Sequence, residues 1–567
     1  MSDRYSIRLH VTRRVLGTIL VFVGFGSNAG NLVGQSSDTG VEPPIMGGAP
    51  TMRLMDEQQY TNAISDVFGT DIKNTVRFPP VRRTDGLVAL GATTAVVTSG
   101  ALETFEAAAR DIAAHVVDEQ HRLLIPCRPA NVKQPDDACA REFLGRVGRL
   151  LYRRPLSADE LNVRVAAAQS ASEKLNNFYG GLQSALSGLL VAPEFLFLTE
   201  ATEPDPTLSG AVRLDGYSRA TRLSLLLWNT IPDEELLRAA GAGELYTQRG
   251  LTRQVDRLLA SPLRVQAGVR AFFDDLMVME AFGDLTKDST IYPTFSLKIA
   301  SDAKEQALRI IVDQLVTRNG DYRDLFTTRH IFLTQALGTI YRVPVQAAGA
   351  TEWVPYELSE NDPRAGLLTQ VGYLAVNAQP GRTSPTRRGR SLREVFMCQK
   401  IPDPPPNVSF TIIEDPNAKY ATMRDRATAH STDKTCAGCH RLTDPIGLGF
   451  ENFDGAAQFR IREGNAIIDA SGELDGISFH DGKGLGQAVH DNPNIPPCIV
   501  KRLYQYAVGR NLSKDEKPVL AYFEQRFADQ QYKFIALLRT LVTSKAFYQV
   551  GVDATDKPRS VTALNGQ

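Results

Sequence analysis

The stretch FEAAARDIAAHVV, Phe105 to Val117, decides the fold class. Phe105, Ala109, Ile112 and Val116 recur at three- and four-residue steps, with Leu123 one longer step beyond, and that spacing lays one apolar stripe along a helix. The same period returns at Ala303, Ala307, Ile311 and Leu315, where Arg318-Asn319-Gly320 supplies a C-terminal stop. Thr252 to Ala260 predicts another helix, closed by Ser261-Pro262 because the residue before a proline is pushed out of helical dihedrals. Asp233, Glu234 and Glu235 follow Pro232 and precede Leu236-Leu237. They read as a helix first turn favoured by the macrodipole, not as a paired acid and base. Strand-like alternation is scarce, so the expected fold is mainly α.

Outward from these helices, composition narrows the field. The chain has 567 residues, enough for several compact units, with 43% hydrophobic and 22% charged residues. Lys and Arg number 63 against 64 Asp and Glu, so no global field steers the chain to nucleic acid or an anionic membrane, and no nucleic-acid partner is expected. The first residues, MSDRYSIRLHVTRR, are basic and lead into the apolar run Val15 to Phe25 and then Gly26-Ser27-Asn28-Ala29. This pattern predicts a signal peptide over 1–29, and the run is too short to leave a stable transmembrane span after cleavage. The Gly-, Ser-, Asp- and Pro-rich stretch 30–50 predicts a disordered linker. A periplasmic or extracellular location follows.

Cys436-Ala437-Gly438-Cys439-His440 is the one motif that carries chemistry. C-x-x-C-H is the pattern of covalent c-type haem attachment: two thiols one helical turn apart can each form a thioether to a haem vinyl group, and the adjacent imidazole can ligate the iron. Zinc would need two further Cys or His ligands at compatible spacing, and none follow. A thioredoxin-like pair would need a βαβ context. The expectation is one haem c on Cys436 and Cys439, with His440 as proximal iron ligand, in a cytochrome c-like α-helical haem module. Haem attachment and export support each other, because covalent maturation takes place outside the cytoplasm.

The distal ligand is open. No methionine follows the motif, which leaves an open or water-filled site, His480 and Met423 as the leading alternatives, with His490, His430 or Met397 behind them. The other cysteines suit an exported chain: Cys127 and Cys139 flank a short loop, and Cys398 and Cys498 bracket the haem segment. Of the three pairings four thiols allow, 127 with 139 and 398 with 498 is preferred. Phe450, Phe453 and Phe459 are either haem-pocket walls or core. Asp444-Pro445 predicts a turn directly after the haem helix, and Gly482-x-Gly484-x-Gly486 predicts a flexible loop and no nucleotide site. Ile499, Leu503, Tyr504 and Ala507 predict a helix ending near Gly509 and suited to lie over a haem edge, and Ser513 to Glu516 a capping box.

Several stretches carry a family resemblance: RLMDEQQYTNAISDVFG from Arg53, CAREFLGRVGRLLYRRPL from Cys139, LLVAPEFLFL from Leu189 and LSLLLWNTIPDEELL from Leu223. The C-terminal half adds AGLLTQ from Ala365, TSPTRRG from Thr383, CAGCHRLTDPIGLGFENFDGAAQFR from Cys436, IDASGEL from Ile468 and LVTSKAF from Leu541. The chain resembles the secreted bacterial multi-domain cytochrome c-like proteins built from the linked domains of unknown function 1587, 1595, 1592, 1588 and 1585. The resemblance implies a haem-c-bearing exported protein, with Cys436, Cys439 and His440 as attachment and ligand residues; it supplies no activity. The expected organisation is an N-terminal helical domain at 51–125, a small helical domain with a disulfide at 126–180, a central helical domain at 181–345, the haem-binding domain at 346–490 and a C-terminal helical domain at 491–555. Three functions fit: electron transfer with a redox partner protein, a haem oxidoreductase whose substrate pocket lies in the N-terminal helical domains, or a surface-binding protein with structural or sensory haem.

Overall fold

Helix caps set the frame of the first half. In the computed structural model, which describes residues 40–73, 76–206, 211–403, 420–432 and 434–551, Asp56 and Gln59 form a capping box on α1 (Glu57–Phe68). The expected signal peptide, the first part of the linker and Pro404 to Pro406 lie outside the described residues. Next come α2 (Ser99–Val117), α3 (Asp137–Leu151), α4 (Ala158–Leu175) and α5 (Phe178–Leu190). Phe105, Ala109, Ile112 and Val116 on α2 are all buried, as their spacing predicts. Leu123 is not on that stripe: α2 ends at Val117, and Leu123 sits in a short 3-10 turn, 90% exposed. A periodicity stretched across a longer step had joined a helix to the turn behind it.

Strand β1 (Met52–Leu54) pairs antiparallel with β2 (Phe197–Thr199), tying the start of this helical layer to its end. One apolar core runs from Leu54 to Leu198 and takes in Leu225 and Ile231. A second, larger core spans the rest, built on α6 (Gly216–Trp228), α7 (Glu234–Gly241), α8 (Gln248–Leu259), α9 (Pro262–Leu276) and α10 (Leu297–Val312). Asp233 is the N-cap of α7, accepting from the Leu236 N–H at 2.9 Å, and pairs with Arg257 at 2.7 Å. The acidic set is therefore a helix start, as read.

The C-terminal part adds α11 (Pro385–Ser391), α12 (Met423–His430), α13 (Lys434–Gly447), α14 (Gly482–Asp491), α15 (Ile495–Val508), α16 (Lys517–Asp529) and α17 (Phe534–Thr543). Helix makes up 56% and strand 8%, so the protein is mainly α. Every described sheet is a two-stranded antiparallel ribbon.

Two local expectations fail here. The chain does not turn at Asp444-Pro445; α13 runs through Pro445 to Gly447. The proline removes one backbone hydrogen bond, but Thr443, Asp444 and Ile446 are buried and tertiary packing holds the turn helical. The Gly482 to Gly486 stretch is the first half of α14, not a flexible loop. Asp481 caps it by accepting from the Gly484 N–H at 2.8 Å. A β-carbon on Gly486 would lie 2.4 Å from the Phe326 carbonyl oxygen, so this glycine permits a close approach.

The preferred disulfides form: Cys127 with Cys139, and Cys398 with Cys498, at Cα separations of 5.5 and 5.3 Å. Among the described residues no single helix is long and apolar enough to cross a membrane.

Candidate functional site

Helix α13 carries Cys436, Cys439 and His440, and α11 holds it in place. A β-carbon on Gly389 of α11 would lie 1.9 Å from the Thr443 carbonyl oxygen, and one on Gly447 of α13 would lie 1.8 Å from that of Pro385. The two helices meet backbone to backbone, which only glycine allows at these points. Arg393 fixes the far side, donating to the Leu442 carbonyl at 2.6 Å and pairing with Asp475 at 3.0 Å.

The segment behind α13 is organised by one buried cation. Arg388 is fully buried and donates to the carbonyls of Phe450, Phe453 and Asp454 at 3.0, 2.9 and 2.8 Å. Its charge faces Glu451 at 3.6 Å. Burial drives the Arg388 guanidinium down and the Glu451 carboxyl up, each opposed by the other's charge. Thr383 and Arg460 also hold Glu451, at 2.7 and 3.2 Å. TSPTRRG and ENFD, far apart in sequence, are thus two halves of one buried knot.

His440 is set by Asp444, one helical turn on. Its Nδ1 lies 2.7 Å from Asp444 Oδ2, while Thr386 donates to the other carboxylate oxygen at 2.8 Å. An ionised carboxylate only accepts, so Nδ1 carries the proton and Nε2 keeps its lone pair for a ligand bond. Cys436 and Cys439 are the two described cysteines outside disulfides, both partly buried. Two thiols one turn apart, beside an imidazole whose Nδ1–H is held by a carboxylate, are the residue types that covalent haem attachment uses, the thiols as anchors and the imidazole as ligand. The residues present fit that group.

The distal candidates differ in their surroundings. His480 is exposed, at the end of a hairpin strand. Met423 is buried on the face of α12 that also carries Ala427 and His430, but seven residues of helix, roughly 10 Å, separate it from His430. His430 is the residue against the proximal histidine: the two imidazole rings meet edge to face with centroids 4.8 Å apart. His490 is engaged with Asp491 at 2.7 Å and Asp324 at 3.4 Å, and Met397 belongs to the main core. Only the packing of α12 on α13 reveals the contact between His430 and His440, because no fixed sequence spacing encodes it.

Phe450 and Phe453 also lie in the main core, where Phe450 packs on Tyr373 at 5.7 Å and Phe453 meets Phe459 at 5.8 Å. Helix α15 ends at Gly509 as expected, but it packs on α16 and α9, while α11 and α12 flank α13. Ser513 and Glu516 form the expected capping box.

No curated protein and no solved structure matches the chain. Five family models do, each described as a protein of unknown function: DUF1587 at 53–118, DUF1595 at 139–200, DUF1592 at 214–343, DUF1588 at 364–463 and DUF1585 at 475–547. The Cys436–His440 motif, the TSPTRRG helix and the buried Arg388–Glu451 knot all fall in the fourth. The chain belongs to the proteins in which these five domains of unknown function are linked in this order.

Proposed function

We propose that the protein is an exported monohaem c-type electron carrier. The observation that carries this reading is the arrangement on α13: Cys436 and Cys439, outside both disulfides, stand one helical turn apart beside a His440 whose Nδ1 is held 2.7 Å from Asp444, while the other four cysteines are paired. A haem bound there would supply a one-electron redox centre. Cys436 and Cys439 would anchor it, and His440 would present Nε2 to the iron. Asp444 would strengthen the imidazole as a donor by taking its Nδ1 proton in a hydrogen bond. His430, whose ring meets His440 edge to face, joins His480 and Met423 as a candidate for the second ligand. Both disulfides suit an oxidising compartment.

The test is a carbon monoxide titration of the reduced protein after expression with a cytochrome c maturation system. A low-spin spectrum that resists carbon monoxide supports a carrier with two protein ligands. Rapid carbon monoxide binding contradicts it and favours a haem with an open site, the oxidoreductase reading.

A further inference from the structure

Away from α13, a cleft of about 890 Å³ opens between the chain start and the central helices. Residues 53–62, 78–92, 267–280 and 301–308 form its walls, joined by Asn229 and Tyr506, and none comes from 364–463. Its size falls within the roughly 300–1,000 Å³ of sites for small organic ligands.

Charge in the cleft is unbalanced. Six carboxylates line it (Asp56, Glu57, Asp274, Asp275, Glu280 and Glu305) against the four cations Arg53, Arg83, Arg270 and Lys304. Most are matched internally. Arg83 pairs with Asp275 at 2.8 Å and with Glu280 at 2.7 Å, Lys304 with Asp274 at 2.5 Å, and Arg270 with Glu305. Asp275 also accepts the Val88 and Ala89 N–H groups at 2.8 and 3.0 Å. Two carboxylates, Asp56 and Glu57, and one cation, Arg53, are left without an ion pair among the described residues, and because Arg83 is shared by two carboxylates the lining carries a surplus of two negative charges.

Asp56 is the exposed one that matters. Its Oδ1 accepts from the Gln59 N–H at 2.7 Å, the Gln58 N–H also supports the carboxylate, and the residue lines the cleft. Protein surrounds it on the other sides, and that desolvation pushes the carboxyl up to about 6, with Asp275 adding to the rise and Arg53 opposing it. Tyr506, only 6% exposed, lines the same cleft, and its hydroxyl has no hydrogen-bond partner among the described residues. Phe78 and Tyr506 line the cleft beside the apolar Leu54, Met55, Val81 and Leu308, a lining on which a cation with an apolar body gains from both charge and contact.

We propose that this cleft is a binding site for an organic ammonium ligand carrying one positive charge on an apolar body, with Asp56 as its counter-ion and the Tyr506 hydroxyl as a second polar contact. A neutral polyol would gain little here, because most of the lining groups are already bonded to one another. The site does not depend on haem attachment, and its test does not read the haem.

Calorimetric titration of the purified full-length protein with phenethylamine, its neutral isostere 2-phenylethanol and the disaccharide maltose tests this directly. The expected order is phenethylamine bound and the two neutral probes not. Asp56→Asn keeps the α1 cap, since asparagine caps as well as aspartate. It should weaken phenethylamine by about tenfold or more, the scale of a charge-assisted hydrogen bond. Tyr506→Phe provides a second variant that leaves the charge in place and should weaken the amine less. Equal binding by wild type and Asp56→Asn, a preference for either neutral probe, or no heat with millimolar phenethylamine would overturn the proposal.

Discussion

A histidine next to two thiols is not oriented by that adjacency, and in this chain Asp444 does the orienting. Asp444→Asn keeps a neutral acceptor at Nδ1 but removes its charge, so a bound haem should keep its covalent attachment while its reduction potential rises, read by redox titration. His430→Ala should convert a low-spin spectrum to one that binds carbon monoxide, whereas His480→Ala and Met423→Leu should leave it unchanged; a silent His430→Ala removes that residue as ligand. The proposed attachment residues come from the sequence alone, because their chemistry is written in five consecutive positions. The partner across the site was not, because it depends on how two short helices pack. Asp56 was equally hidden: in sequence it is only an N-cap, and the cleft above it is completed by residues of 267–280 and 301–308 and by Tyr506, more than two hundred positions away. Its raised carboxyl gives a signed expectation. Folded Asp56 holds its proton to a higher pH than the unfolded chain does, so the stability this contributes is full below about pH 4 and lost as pH rises through about 6. Melting temperatures of wild type and Asp56→Asn measured across that window should diverge in favour of the variant as pH rises.

Helix α11 and helix α13 act as one element. Their contact relies on Gly389 and Gly447, and Gly389→Ala would drive a methyl group into the Thr443 carbonyl. Overpacking of this kind costs roughly 1–3 kcal/mol, and here it should also lower the yield of haem attachment, because α13 would be displaced from its frame. Arg388→Met tests the knot behind it. It would leave buried Glu451 without one of its two cations and should destabilise by roughly 3–5 kcal/mol in urea unfolding. Helical period and caps made α2, α7, α8 and α10 readable, since one face of each is buried and its ends carry the expected residues. The same logic failed at Pro445 and at Gly482 to Gly486. Local propensity argues against helix at both, and packing against Pro385, Phe326 and their neighbours decides the outcome.

At the scale of the molecule, two apolar cores and two disulfides hold a large helical mass around one short reactive helix. The cross-links close separations of 12 and 100 residues, worth roughly 3 and 4.7 kcal/mol by chain entropy. Reduction should therefore lower the melting temperature markedly. What the N-terminal helices are for was not readable from periodicity, which reports only what is buried; their cleft is a property of the assembled layers. The account stands or falls on α13. Its most direct test is a pyridine haemochrome assay, with intact mass, on the protein expressed with a cytochrome c maturation system, set beside Cys436→Ser/Cys439→Ser. One covalent haem per chain, with no free thiol left in the denatured wild type and no haem on the double variant, is the expected result. A wild type that matures without haem and keeps two titratable thiols would contradict it.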